Sequence, residues 1–205
     1  MLPHKYIVIE GNIGAGKTTL AHLLAQHFNG DLLLEEFADN TFLPQFYNDP
    51  ERFAFPLEMS FMAERYMQLK KIFEQPVSGK PLISDYLFDK SLLFARVNLK
   101  ENEFKLFENF FNLIKDSIPK PDLLVYLKKE VPRLQKNISK RGRNFEKGIK
   151  DDYLENINAS YEHFLSSDAG LKKIIIHSSE LDFIQNKKDF EIIVDKIINS
   201  QAAIQ

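Results

Sequence analysis

Between positions 11 and 18 the chain reads Gly11-Asn12-Ile13-Gly14-Ala15-Gly16-Lys17-Thr18. Few octets constrain a fold as strongly. The glycines let backbone amides turn inward around an anion, and the helix that must follow adds the positive end of its dipole. Lys17 is placed to reach terminal phosphates and Thr18 to ligate Mg²⁺. The flanks supply the required context: an apolar run at 6–9 reads as a strand, and Leu20, Leu23, Leu24 and Phe28 recur at helical spacing until Asn29-Gly30 stops them. Gly11, Asn12, Gly14, Ala15, Gly16, Lys17, Thr18 and Thr19 are therefore the candidate residues for a nucleoside triphosphate, with ATP and Mg²⁺ as cofactors.

Four further apolar runs, at 31–37, 81–84, 123–127 and 173–177, alternate with helical patterns at 53–75, 87–98, 103–117, 131–140, 151–166 and 189–201. Short strands separated by helices pair in parallel through right-handed crossovers. The expected fold class is α/β: a three-layer α/β/α sandwich around a parallel five-stranded sheet, with its ligand at the carboxyl ends of the strands. A chain of 205 residues with 44% apolar content supports one core, so a single domain over 1–205 is expected. The 27 basic and 29 acidic residues nearly cancel, which excludes the strongly positive field that duplex nucleic acid requires. The absence of cysteine excludes disulfides, thiol nucleophiles and thiolate metal sites, and fits a reducing compartment. Glu10 interrupts the first apolar run too soon for a signal peptide, and no run is long enough to span a membrane. The expectation is a soluble, cytoplasmic protein with no nucleic-acid or membrane partner.

A GTPase is one rival, because Asn186-Lys187-Lys188-Asp189 fits a guanine-recognition pattern. No buried strand precedes it, however, and no Asp-x-x-Gly occurs to form a second switch; it reads as lysine-rich surface before a helix. A kinase must hold an acceptor near the γ-phosphate, exclude water and neutralise charge on the phosphoryl oxygens. Lys140, Arg141, Gly142 and Arg143 lie between two helical segments, with Gly142 as a flexible point, and suit a helical lid over about 136–150. Glu35 and Glu36 end the second strand, on the face where phosphates lie, and either could take a proton from an attacking hydroxyl.

With these pieces in place the chain resembles the deoxynucleoside kinase family along nearly its whole length. The resemblance rests on the phosphate loop, the stretch from Glu35 to Pro50, the run Lys140-Arg141-Gly142-Arg143-Asn144-Phe145-Glu146, and the late loop Leu181-Asp182-Phe183. It implies that Glu35, placed by its offset from Asp39-Asn40, is the general base, with Glu36 second. It implies that Tyr47 and Glu146 hold the sugar 3′-hydroxyl and crowd out ribose, and that Arg141 and Arg143 grip the donor phosphates. Phe94 would stack on the base, Arg65 would contact its edge, and Asp182 and Phe183 would cover the adenine of ATP. A homodimer formed through a helix bundle is also implied.

The departures from the family are as informative. Where the family has an acid-Arg-Ser triplet, this chain has Ser84-Asp85-Tyr86, leaving Asp85 as the candidate that organises Mg²⁺ beside Thr18. Glu58 replaces a base-reading glutamine and Lys90 its partner aspartate, so the two form an ion pair with each other or read the base directly. Asn137 stands where a lid arginine is usual. An ionised Glu58 accepts but cannot donate, which suits adenine, cytosine or guanine over thymine. Bacterial short-chain relatives of the family lean toward purines, so the resemblance favours deoxyadenosine as the acceptor whose 5′-hydroxyl is phosphorylated in nucleotide salvage. Two alternatives stay open: a thymidylate-kinase type enzyme, for which Arg65 and Arg96 would bind the acceptor's phosphate, and a non-kinase nucleotide switch.

Overall fold

The computed structural model describes residues 2–36, 40–74, 79–167 and 170–200. Phe37, Asp39, Gln75 and Gln201, which belong to segments named above, lie outside these residues. The apolar, β-branched run at the start of the chain forms strand β1 (Tyr6–Gly11), buried at every position, as expected of a strand covered on both faces. β1 pairs in parallel with β3 (Leu82–Ser84) on one side and β4 (Leu123–Lys128) on the other. With β2 (Asp31–Leu33) and β5 (Lys173–His177) the sheet has five strands in the order β2-β3-β1-β4-β5, every pair parallel.

Alternation along the strands builds the two outer layers. Ile7, Ile9, Val125 and Leu127 join one core with helices α1 (Lys17–Phe28), α6 (Val131–Arg141) and α8 (Lys187–Ile198). Tyr6, Val8, Leu124 and Tyr126 join a second core with α3 (Pro50–Phe73), α4 (Lys90–Asn98), α5 (Glu101–Ile114) and α7 (Asp151–Ser166). The α/β sandwich follows. β1 is the central strand; its crossover leaves toward β2 while that of its neighbour β3 leaves toward β4, so the loop after β1 opens into the crevice where such sheets hold ligands.

The departures from the sequence expectation cluster near that crevice. β2 ends at Leu33 because the chain there is captured by a side chain: Asp85 accepts from Glu35 N at 2.8 Å, while Leu33 O accepts from Asp85 N at 3.2 Å. Helix α2 (Phe42–Asn48) is too short to show a period, and it is held by Phe46 packing on Ala54 and Leu57 of α3. α3 starts at Pro50, before the expected 53, because Asp49 caps it by accepting from Arg52 N at 3.3 Å and Pro50 fits its first turn. α8 starts at Lys187, where Asn186 accepts from Lys188 N at 3.0 Å, so the Asn-Lys-Lys-Asp tetrad is a helix start. Among the described residues no helix is long and apolar enough to cross a membrane.

Candidate active site

The loop after β1 needs its glycines. Gly11 (φ +155°) and Gly14 (φ +81°) lie where a Cβ would come within 2.9 Å of Leu127 O and 2.8 Å of Leu134 O, both backbone atoms that cannot yield. The loop is anchored from two sides. Asn12 donates to Leu154 O and Asn158 Oδ1 of α7, each at 2.8 Å, and accepts from Ile13 N at 2.7 Å. Asn137 of α6 donates to Gly14 O at 2.7 Å. The Asn12 side chain thus serves the scaffold, leaving its backbone to the cradle. Lys17 arches over the loop, donating to Gly11 O at 2.7 Å and Asn12 O at 3.1 Å. Burial, aided by Lys90, lowers its pKa to about 8, against the pull of Glu10, Glu35 and Asp85.

Ala15 is buried beneath the loop, and Thr19 is exposed on α1, off the cavity wall. Phe183 belongs to the core: it is buried, and a Cβ on Gly16 would meet its Cζ at 3.2 Å. Asp182 holds its own turn by accepting from Ile184 N and Gln185 N at 3.3 and 3.1 Å. This pair lies behind the phosphate loop and outside the cavity described next.

Asp85, at the end of β3, accepts from Thr18 Oγ1 at 2.5 Å with one oxygen and from Glu35 N with the other. Glu35 is thereby aimed into the cavity. Its carboxylate is clamped: Arg65 Nε and Nη2 donate to Oε1 at 2.8 and 2.6 Å, and Lys90 Nζ donates to Oε2. Burial alone would raise the pKa of Glu35, but Lys90 and Arg65 together bring it well below the usual carboxylate range. Lys90 therefore pairs with Glu35 and not with Glu58. Arg65 also donates to Ser91 Oγ at 2.8 Å, which commits its guanidinium to positioning Glu35. Glu36 is exposed and off the cavity, so of the two acids only Glu35 is placed for chemistry. Another acid, Glu10, is buried under the loop, accepting from Tyr161 OH at 2.7 Å and Leu87 N at 2.8 Å.

From Lys17, Thr18 and Asp85 the cavity runs past Glu35, Arg65 and Lys90 into a slot walled by Phe46, Leu57, Phe61, Phe94 and Tyr153. Glu58 lies in this slot, 1% exposed. Its Oε1 accepts from Asn98 Nδ2 at 2.6 Å, and its buried Oε2 has no partner. Burial pushes its pKa up to about 7, against the Asn98 bond and the charges of Arg65 and Lys90. A carboxyl whose pKa is higher folded than unfolded weakens the fold as pH rises from the unfolded value toward the folded one. Relative to wild type, Glu58→Gln is therefore expected to be stabilised by about 3 kcal/mol at pH 8 and by almost nothing at pH 4, a difference that urea denaturation at the two pH values measures.

Arg141, Arg143 and Glu146 line the other side. Glu146, in a single 3₁₀ turn (Asn144–Glu146), is 5% exposed. It accepts from Arg141 Nε and Nη2 at 3.0 and 2.6 Å and from Arg143 Nη1 at 3.2 Å. Tyr47 stacks on Phe145 at 6.1 Å between ring centroids, which brings α2 against this turn. The structure thus gathers Lys17, Thr18, Glu35, Tyr47, Glu58, Arg65, Asp85, Lys90, Phe94, Arg141, Arg143 and Glu146 around one cavity. It does not bring Arg96 there: this side chain lies on the Phe104 ring at 3.6 Å, on the outer face of α4. Sequence reasoning missed Asn98 and Tyr153. Asn98 was within reach, because it stands four residues after Phe94 and so shares its helix face; Tyr153 is brought in by α7 from more than fifty positions away and leaves no local signal.

Comparison with known proteins bears on the family and the fold. The pattern of the family described as Deoxynucleoside kinase matches residues 7–202. The chain is 38% identical over 191 residues to a deoxyguanosine kinase of Bacillus subtilis, covering 91% of this chain and 92% of that one. It is 31% identical over 194 residues to a deoxyadenosine kinase of Lactobacillus acidophilus, covering 88% of each. Among solved structures, the deoxyadenosine kinase from M. mycoides with dCMP and dCDP superposes with a TM-score of 0.83 at 24% identity, over 94% of this chain and 98% of that one, a likeness of fold. The chain belongs to the deoxynucleoside kinase family, ATP-dependent phosphotransferases that phosphorylate deoxynucleosides.

Proposed function

We propose that the chain transfers the γ-phosphoryl group of ATP to the 5′-hydroxyl of a purine deoxynucleoside, within a single domain whose lid spans about 136–150. The observation that carries this reading is the continuity of one cavity from the phosphate loop, past a buried carboxylate, to a flat aromatic slot. A phosphate cradle alone would serve any nucleotide enzyme; the carboxylate and slot add a place for a hydroxyl and a base. Deoxyadenosine is favoured from sequence, and the relatives' names extend the reading to deoxyguanosine.

In this reading Glu35 accepts the hydroxyl's proton. Held by two cations, it is a weak base in the ground state, which is sufficient where phosphoryl transfer is loose and the proton leaves late. Lys17, Arg141 and Arg143 stabilise the charge on the transferring group. A guanidinium carries five N–H donors, so each lid arginine can hold Glu146 and phosphate oxygens together. Tyr47 and Glu146 receive the sugar 3′-hydroxyl, Phe94 stacks on the base, and Asp182 and Phe183 back the adenine side of ATP. Thr18 and Asp85 fit Mg²⁺: both offer hard oxygens at 2.5 Å from each other. Held there, Mg²⁺ would supply positive charge against the triphosphate. A cytoplasmic homodimer completes the reading, supported by the exposed apolar row Leu106, Phe110 and Leu113 along α5.

The monophosphate-kinase alternative loses support, because Arg96 is remote and Arg65 is committed to Glu35 and Ser91. The test is Mg²⁺- and ATP-dependent ADP release with each of the four deoxynucleosides, adenosine, guanosine and deoxythymidine monophosphate. Strong stimulation by deoxyadenosine and deoxyguanosine, with little by their ribose forms, is expected. Stimulation by the monophosphate alone, or equal release without acceptor, overturns the proposal.

A further inference from the structure

Glu58 is a buried acid with one oxygen spoken for and one free. Asn98 Nδ2 occupies Oε1, while Oε2 has no partner and its residue lines the slot beside Phe94. Any proton on this carboxyl therefore belongs on Oε2, the oxygen buried without a partner. We propose that Glu58 reads the edge of the purine base and that its ionisation state selects which purine is phosphorylated: the carboxylate takes guanine and the neutral acid takes adenine. This rests on the purine deoxynucleoside reading above and deepens it.

The chemistry follows from donor and acceptor counts. Guanine presents N1–H and the exocyclic amino group, both donors, and an ionised Oε2 accepts from either. Adenine presents an acceptor at N1 beside its exocyclic amino donor. Only a protonated Oε2 can donate to that N1, while Oε1 accepts from the amino group alongside Asn98. A mismatch leaves two donors or two acceptors facing each other in a dry slot, which is the arrangement that discriminates most strongly.

The neighbours hold the acid near balance. On its own helix Arg65 favours the charged form, as does Lys90 from α4. Burial and Glu35, from the segment after β2, favour the neutral form, so the pKa stands at about 7. Tyr47 of α2 and Tyr153 of α7 also face it, both with hydroxyls raised by burial and thus neutral. From the lid, Glu146 shares the cavity, with its charge met by Arg141 and Arg143.

The test is kcat/KM for deoxyguanosine and for deoxyadenosine, with saturating ATP and Mg²⁺, from pH 6 to pH 8, below the range where guanine N1 ionises. Effects of pH on Glu35, the lid or the donor cancel in the ratio, because both acceptors share sugar and phosphate chemistry. The deoxyguanosine-to-deoxyadenosine ratio should rise at least tenfold over this span, with a ceiling of about a hundredfold set by two units of pH. In Glu58→Gln the ratio should be flat and shifted toward deoxyadenosine, because an amide offers a fixed donor and acceptor. A wild-type ratio that moves less than about threefold, or an equal slope in Glu58→Gln, overturns the inference while leaving the kinase reading intact. The wild-type series decides even if the variant fails to fold. If neither purine is phosphorylated, the proposed function falls first and this inference with it.

Discussion

Glu35→Gln should lower kcat by about 10²- to 10⁴-fold, the usual worth of a positioned general base, with the KM for ATP little changed. The amide keeps the shape of the side chain and loses its proton affinity. It also loses its charge, and this second loss predicts a separate effect on folding. Arg65 and Lys90 are 3% and 8% exposed at the side chain and both point at Glu35. Stripped of the carboxylate they become two buried cations in search of an anion, and removing one partner of such a set costs about 3–5 kcal/mol. Urea denaturation should register that loss, and rapid-quench turnover on the folded fraction should register the chemical one. A variant that turns over within about fivefold of wild type would remove Glu35 from the role of base.

Lys17→Ala should reduce kcat by about 10²- to 10³-fold, because in the proposed reading its ammonium faces the oxygens that gain charge in the transition state. Unlike Glu35, Lys17 leaves behind no unpaired charge. Its two acceptors, Gly11 O and Asn12 O, are loop carbonyls that water can reach once the side chain is gone. Stability should therefore fall by no more than about 1–2 kcal/mol. Single-turnover phosphoryl transfer separates the two predictions: both variants lose the chemical step, but only Glu35→Gln loses stability on a comparable scale. Full single-turnover chemistry in Lys17→Ala would place the lysine's contribution in binding alone.

What could be read from the sequence was whatever is local. The phosphate loop carries its function in eight consecutive residues, and α7 and β5 have unbroken patterns, so both were bounded at 151–166 and 173–177 as observed. Helix starts were less legible wherever a cap, not a period, sets them, as Asp49 does for α3 and Asn186 for α8. The site was legible as a set of residues but not as a network. Glu58 and Lys90 are near neighbours in the family pattern, yet the side chain of Lys90 turns to Glu35, because Asp85 draws the chain after β2 inward and sets that carboxylate between Lys90 and Arg65. No spacing rule carries that information; it depends on where three separate segments meet at the end of the sheet.

Asp85 also divides the molecule by evolutionary freedom. In the proposed reading the donor is held by the phosphate loop, α1 and the segment after α6, and the base by α3 and α4, whose Glu58, Phe94 and Asn98 line the same cavity. Asp85 bonds both to the Thr18 hydroxyl and to the Glu35 amide. In that reading, exchanges along α3 and α4 that spare Arg65 and Lys90, the clamp on Glu35, would re-aim the enzyme at a new base without disturbing the phosphate loop, so a duplicated copy could diverge in diet while inheriting its catalytic engine.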